Sequence, residues 1–223
     1  MATAARVKSI CFAVAAVLAV AACDPPAPGV KPAAVPTTPA APPATTPATP
    51  AAATTPPAGF DQTLELQGVT FRVTSANAGS INRLSIEPKG LKGDNAVIEQ
   101  EIDGTVTMAE VADLDADGSP EVYVYVTSAG SGSYGSLAAY AANKGRSLSA
   151  IFLPPIGDDP KASKGYLGHD EFRVVENTLV RRFPVYRDGD PNAQPTGGTR
   201  QVQYKLKAGE AGWVLKPDKT VDY

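Results

Sequence analysis

Side chains that could do chemistry lie in three short segments of this sequence. In the first, Asp113, Asp115 and Asp117 alternate with apolar residues, Gly118 is sixth and Glu121 is ninth. Alternate carboxylates around a glycine are typical of calcium loops, because a hard cation needs several oxygen ligands at a sharp turn. The twelfth residue is not a glutamate, which excludes an EF-hand. We favour the alternative that the aspartates form Asx turns and bind no metal, so we expect no cofactor.

The second segment is a glycine-rich run from Gly130 to Gly135. It matches the dinucleotide fingerprint G-x-G-x-x-G. That fingerprint requires a crossover helix after the loop, whereas a new turn begins at Asn143, after only the short run Ser136–Ala142. Nucleotide binding is therefore disfavoured.

The third segment contains the lone histidine, His169, beside Asp170 and Glu171. A serine hydrolase would need a nucleophile elbow of the G-x-S-x-G kind, which the sequence lacks, so we expect His169 to be a surface or turn residue. Asp158 and Asp159 add to the acids from which a glycosidase pair could be drawn, but nothing singles any of them out. We predict no catalytic residues and no enzyme.

The runs between these segments predict an all-β domain. Short stretches rich in β-branched and aromatic residues recur between turn residues, and no long helical period appears. Turn pairs at Asp103-Gly104, Glu176-Asn177 and Asn143–Gly145 predict antiparallel neighbours. The predicted strands are Val69–Thr74, Leu84–Glu87, Ala96–Ile102, Thr105–Val111, Glu121–Thr127, Leu148–Leu153, Glu171–Glu176, Leu179–Tyr186, Arg200–Leu206 and Gly212–Lys216.

The run Glu121–Thr127 is the most informative of these strands. Its three valines share one face and its two tyrosines share the other, so both faces are apolar. This predicts a central strand of an antiparallel β-sandwich or flattened barrel. Trp213 is expected to pack in the core or at a sheet edge.

Residues 1–22 have the layout of a secretory signal peptide. Arg6 and Lys8 precede an uncharged run that is too short to span a bilayer. The run ends in Val-Ala-Ala-Cys23, which resembles the bacterial lipobox, so we predict that Cys23 carries diacylglycerol and palmitate. The alternative is an ordinary cleavage site with a chance cysteine. The other cysteine, Cys11, lies in the signal, so Cys23 has no disulfide partner within the mature chain. Asp24 resembles the inner-membrane retention signal of enteric bacteria, with the outer membrane as the alternative.

Residues 23–59 are predicted to be a disordered, extended tether. They contain twelve of the 21 prolines, and a Pro/Ala/Thr composition cannot bury a core. A glycosylated stalk is the alternative.

Residues 60–223 are long enough for one folded domain. Three of the 20 basic and one of the 23 acidic residues precede Phe60, which leaves 17 against 22. This mildly acidic balance disfavours nucleic acid as a partner.

Four segments of the domain carry a family resemblance. Glu121–Ser136, with Gly165–Glu171, Arg181–Tyr186 and Pro195–Thr199, resembles the bacterial periplasmic inhibitors of invertebrate-type lysozyme. The most specific element is Ser131-Gly132-Ser133-Tyr134, which matches the S-G-x-Y inhibitory motif of that family.

This resemblance implies an all-β inhibitor in the periplasm whose loop plugs the lysozyme cleft. The predicted lipid on Cys23 would anchor it to the envelope. Ser131 and Tyr134 would supply hydroxyl groups, and Gly132 and Ser133 would complete the loop. We also expect Arg146, on a neighbouring turn, to make an auxiliary contact. A homodimer is left open. The alternative function is a calcium-stabilised envelope adhesin or carbohydrate-binding module, suggested by the aspartate loop.

Overall fold

The computed structural model describes residues 59–223, which form twelve β-strands and one 3-10 turn, Ile156–Asp158. No helix in this part of the chain has the length and apolar character needed to cross a membrane. The predicted signal peptide, Cys23, Asp24 and nearly all of the linker lie outside the described residues. The strands are β1 Phe60–Leu66, β2 Val69–Ser75, β3 Ile81–Lys89, β4 Ile98–Asp103, β5 Thr105–Ala112, β6 Glu121–Thr127, β7 Gly135–Ala142, β8 Leu148–Phe152, β9 Glu171–Val175, β10 Thr178–Pro184, β11 Thr199–Ala208 and β12 Trp213–Asp222.

The strands form two sheets, which confirms the all-β, predominantly antiparallel prediction. Strands β1 to β4 make an antiparallel sheet in sequence order. The other eight make a sheet in the order β5-β6-β7-β8-β12-β11-β10-β9. Its halves join where β8 and β12 run parallel over two residue pairs, Ile151 with Trp213 and Phe152 with Val214.

The eight-stranded sheet curls into a nearly closed barrel. Its edge strands, β5 and β9, meet through a side chain: the Val174 amide donates to the Glu110 carboxylate over 2.9 Å. The Tyr125 hydroxyl donates to the same carboxylate oxygen. Behind this seam the rings of Tyr125 and Phe172 stack with centroids 5.6 Å apart.

Strand β6 lies between two hydrophobic cores, as its alternating sequence predicted. Val122, Val124 and Val126 pack against the four-stranded sheet. Tyr123 and Tyr125 point the other way, into the barrel. Burial on both faces explains why almost every residue of this strand is inaccessible to solvent.

Strand β7 was missed by the sequence analysis because alanine has low β-propensity. Its alanines are nevertheless required, because β7 is sandwiched between the two cores. Ala138 and Ala142 face the four-stranded sheet, and Ala139 and Ala141 face the barrel. Small side chains let both layers approach this strand closely.

The expectation of a hairpin at Asp103-Gly104 is wrong. Strand β4 pairs with β3 and β5 pairs with β6, so this dipeptide carries the chain from one sheet to the other. A turn pair indicates that the chain changes direction, but it does not specify the pairing partner. The turns at Glu176-Asn177 and Asn143–Gly145 do join antiparallel neighbours, β9 with β10 and β7 with β8.

Candidate functional site

The S-G-x-Y motif lies in the loop between β6 and β7, residues Ser128 to Tyr134. The loop is closed at its base, where the Ser128 amide donates to the Tyr134 carbonyl over 2.9 Å. The Tyr134 amide in turn donates to Ser128 Oγ over 3.0 Å. A tighter turn within the loop is closed by the Ser133 amide and the Gly130 carbonyl, 2.9 Å apart. After the loop the chain continues as strand β7, where a dinucleotide site would require a helix.

Neighbouring segments fasten this loop along its length. The amide of His169 donates to the Gly132 carbonyl over 2.7 Å. Asn192 Nδ2 donates to the Ser131 carbonyl over 3.0 Å. At the loop's exit, the Gly135 amide donates to the Asp170 carboxylate over 2.7 Å. We call Gly165–Asp170 the support segment.

Gly168 allows the close contact between the loop and the support segment, and Gly132 allows the Tyr134 ring to fold back over the loop. Gly168 has a φ of +94°, and a Cβ there would lie 2.0 Å from the Gly132 carbonyl oxygen. A Cβ on Gly132 would lie 2.5 Å from the ring of Tyr134. A larger residue in place of Gly168 would therefore push the loop away from the support segment, and one in place of Gly132 would displace the Tyr134 ring within the loop.

The loop presents hydroxyl groups and an aromatic ring to solvent. Tyr134 is 47% exposed, with its ring edge packed against Tyr166 at a centroid distance of 5.7 Å. The hydroxyls of Ser131, Ser133 and Tyr134 make no hydrogen bond to any other described residue.

A buried polar network lies beneath the loop. The Asp170 side chain is fully buried and pairs with Arg181, whose Nε lies 2.6 Å from Oδ1. The Tyr166 hydroxyl donates to Asp170 Oδ2 over 2.6 Å and accepts from Arg181 Nη2 over 2.8 Å. The Arg181 guanidinium also lies 5.1 Å from the Tyr166 ring centroid and 5.3 Å from that of Phe172.

The surroundings of Tyr166 and Arg181 keep both side chains protonated. Burial, and then the hydrogen bond to Asp170, raise the pKa of Tyr166, which keeps its hydroxyl protonated as a donor. Burial alone would lower the pKa of Arg181, but the hydrogen bond and charge of Asp170 outweigh it and raise the pKa. Removing one partner of such a buried pair costs about 3–5 kcal/mol, because the other charge is left unpaired.

The predicted aspartate loop joins β5 to β6. Oxygen atoms of Asp113, Asp115 and Asp117 lie within 4.8 Å of one another. Backbone amides donate hydrogen bonds to these carboxylates. Asp113 accepts from the amides of Asp117 and Gly118, each over 3.0 Å, and Asp117 accepts from the amide of Ser119 over 2.7 Å. These are the Asx-type turns that the sequence analysis favoured. The absence of a metal remains a prediction.

Glu121 is buried at the base of this loop. Its Oε2 accepts from the Leu114 amide over 2.8 Å and from the Tyr123 hydroxyl over 3.3 Å. Burial is the main cause that raises the pKa of Glu121 to about 8, and the charges of Asp115 and Asp113 add to it. The hydrogen bond from Leu114 only partly offsets these effects.

Arg146 does not neighbour the S-G-x-Y loop. It lies in the turn between β7 and β8, at the opposite end of β7, where its carbonyl accepts from the amides of Gly93 and Asp94. An eight-residue strand separates the two turns, about 25 Å at strand spacing. The expectation that Arg146 lies on a turn neighbouring the motif is wrong, because successive turns of a meander lie at opposite ends of their shared strand.

Trp213 and His169 have packing roles. Trp213 is partly buried against the barrel core, and its Nε1 donates to Asn143 Oδ1 over 3.0 Å. His169 has a φ of +58° and stacks on Tyr186 at a centroid distance of 6.4 Å. It lies in the irregular segment before β9, and its backbone contacts the candidate loop.

Sequence reasoning missed the roles of Tyr166, Asp170 and Arg181. One available signal was the position of Arg181, which alternates with Leu179 and Phe183 on the inward face of β10. An arginine on an apolar strand face requires a buried acid. The sequence did not show that Asp170 is this acid.

Comparison with known families places the loop within a recognised segment. Residues 89–156 match the family model described as periplasmic lysozyme inhibitor of I-type lysozyme. This confirms the family resemblance over the part of the chain that contains β6, the S-G-x-Y loop, β7 and β8. The matched segment ends before the support segment and Arg181. No curated protein matches the chain, and no solved structure matches it either.

Proposed function

We propose that this protein inhibits an invertebrate-type lysozyme by inserting the loop Ser128–Tyr134 into the active-site cleft, which would protect bacterial peptidoglycan. The observation that carries the proposal is a fastened loop with outward hydroxyl groups inside the segment that matches the inhibitor family. The protein would act as a binding partner and catalyse no reaction.

The chemistry of the loop suits a lysozyme cleft. Such a cleft presents carboxyl groups on either side of the scissile glycosidic bond. The seven residues of the loop carry no charge, so no carboxylate of the loop would repel them. Ser131 and Tyr134 instead offer hydroxyl donors, and the tyrosine ring adds contact area with few rotatable bonds.

The protein would meet its target in the periplasm, which is the compartment of the matched family. We further propose that Cys23 is lipidated and that the Pro/Ala/Thr-rich segment lets the domain sample the space above the membrane. Inner-membrane retention through Asp24 forms part of this proposal.

Truncation of the motif tests the mechanism. Ser131→Ala and Tyr134→Ala should each weaken inhibition roughly 5- to 150-fold. Each substitution would leave a buried acceptor in the lysozyme cleft without its hydrogen-bond donor, at a cost of about 1–3 kcal/mol. Inhibition constants would be measured against invertebrate-, chicken- and goose-type lysozymes, with thermal melts alongside. Ser136→Ala, an exposed serine on β7 outside the loop, is the matched control. Full inhibition by the double variant with an intact fold would place the inhibitory surface elsewhere.

A second candidate function is suggested by the three clustered aspartates, Asp113, Asp115 and Asp117. In this alternative the domain is an envelope adhesin or carbohydrate-binding module whose fold calcium stabilises. A large calcium-dependent rise in melting temperature, with no inhibition of any lysozyme, would favour it.

A further inference from the structure

We propose that Tyr166, Asp170 and Arg181 are positioning residues, which hold the S-G-x-Y loop in the shape that its target binds. The inference deepens the proposed function and rests on it. It concerns residues outside the segment that matches the inhibitor family.

Asp170 joins three separate parts of the chain through one carboxylate. Its Oδ2 accepts from the Gly135 amide at the exit of the loop and from the Tyr166 hydroxyl in the support segment. Its Oδ1 pairs with Arg181 on β10. The exit of the loop is thereby tied to a strand of the barrel wall.

Tyr166 extends this connection to the exposed part of the motif. Its hydroxyl bridges Asp170 and Arg181, which fixes the orientation of its ring. One side of that ring packs edge-on against Phe183 in the core, at a centroid distance of 4.8 Å, and another packs against Tyr134. The position of the exposed tyrosine therefore depends on the Tyr166 hydroxyl, which belongs to the polar network beneath the loop.

A loop held in this way binds more tightly than a mobile one. The loop contains Gly130 and Gly132, which would give a free hairpin many conformations. Ordering them on binding would reduce affinity, whereas a network that orders them beforehand removes that cost. The network should therefore act on inhibition through the shape of the loop, without touching the lysozyme.

Tyr166→Phe is the variant that tests this role. It deletes only the hydroxyl and keeps the ring that contacts Tyr134, so it avoids the unpaired buried charge that Asp170→Ala would create. Tyr140→Phe is the matched control, because the Tyr140 hydroxyl also makes a 2.6 Å hydrogen bond, to Gln100, away from the loop. Both variants would be compared with the parent by thermal melting, lysozyme inhibition and hydrogen exchange of the Gly135 amide.

We expect Tyr166→Phe to weaken inhibition about 5- to 20-fold and to speed exchange of the Gly135 amide. Tyr140→Phe should do neither, although its melting temperature should fall by a similar amount. A loss of inhibition equal in the two variants would show a merely structural role and overturn the inference. So would unchanged Gly135 exchange in Tyr166→Phe.

The same measurements distinguish failure of the proposed function from failure of the positioning role. If the parent protein inhibits no lysozyme, the proposed function is wrong, and Gly135 exchange still decides whether Tyr166 orders the loop. If the parent inhibits and Tyr166→Phe inhibits equally well, the loop mechanism can stand and the positioning role is wrong. Asp170→Asn is the second variant, and it should speed exchange of the Gly135 amide more than Tyr166→Phe does. Exchange in Asp170→Asn that is no faster than in Tyr166→Phe would contradict the network.

Discussion

Glu121 should make the stability of this protein depend on pH in the direction opposite to ordinary acid denaturation. Burial raises its pKa in the folded state from 4.5 to about 8, so between these values the folded protein holds a proton that the unfolded chain has lost. Stability therefore falls as pH rises through this interval. The contribution is fully present below pH about 4.5 and is lost by pH about 8.

The size of the effect follows from the same shift. A rise from 4.5 to about 8, at about 1.4 kcal/mol per pKa unit, corresponds to about 5 kcal/mol. Glu121 is only 2% exposed, so solvent screens this effect little. A difference of this size is a large fraction of the stability of an ordinary domain.

Glu121→Gln isolates this contribution. The amide is a neutral analogue of the protonated acid and keeps an oxygen to accept from the Leu114 amide. Urea unfolding would be measured from pH 5 to pH 9. We expect the variant to lose much less stability than the parent over this range and to be the more stable protein at pH 9. Glu65→Gln, at an exposed position on β1, is the control and should follow the parent.

One result would refute this reasoning, and a second would contradict the prediction that the aspartate loop binds no metal. The free energy of unfolding of the parent would be compared with that of Glu121→Gln at each pH. If the difference between them stays constant or moves in favour of the parent from pH 5 to pH 8, Glu121 is ionised in the folded state. The same result obtained only with calcium present would mean that the aspartate loop binds the cation, because a bound cation favours the charged carboxylate.

Three further predictions concern the anchor, the aspartate loop and the barrel seam. Cys23→Ser should move the protein from the membrane fraction to the soluble periplasmic fraction, and an unchanged fractionation and mass would contradict lipidation. Chelation should leave the melting temperature nearly unchanged if Asp113–Asp117 hold no essential metal, whereas a fall of many degrees would show that they do. Glu110→Ala should cost about 2–3 kcal/mol in urea unfolding, because the Val174 amide and the Tyr125 hydroxyl lose their shared acceptor. An effect below about 0.5 kcal/mol would show that packing alone closes the seam.

Local sequence patterns determined much of the architecture. The alternation of valine and tyrosine in Glu121–Thr127 predicted a strand buried on both faces, because successive side chains of a strand point to opposite sides. The same reasoning failed for β7, where alanines replace the usual strand residues, and it omitted β1, Phe60–Leu66. In β7 the alternation gave no signal because alanine side chains are too small to distinguish the two faces of the strand.

The motif could be predicted from sequence, but its support could not. Ser131-Gly132-Ser133-Tyr134 is contiguous, so its residue types and order suffice to recognise it. The groups that hold it are separated along the chain: Asp170 lies 35 residues after Gly135, and Asn192 lies 61 residues after Ser131. One sequence contains no signal for such distant contacts.

The tertiary structure alone decided which charged residues belong to the site. Arg146 is closer in sequence to the motif than Arg181, yet an intervening strand carries it to the opposite end of the sheet. Arg181 reaches the base of the loop because β10 and β9 pair in the barrel wall and place it beside Asp170. Distance in the folded chain is set by strand pairing and sheet closure, which depend on long-range packing and cannot be read from spacing along the sequence.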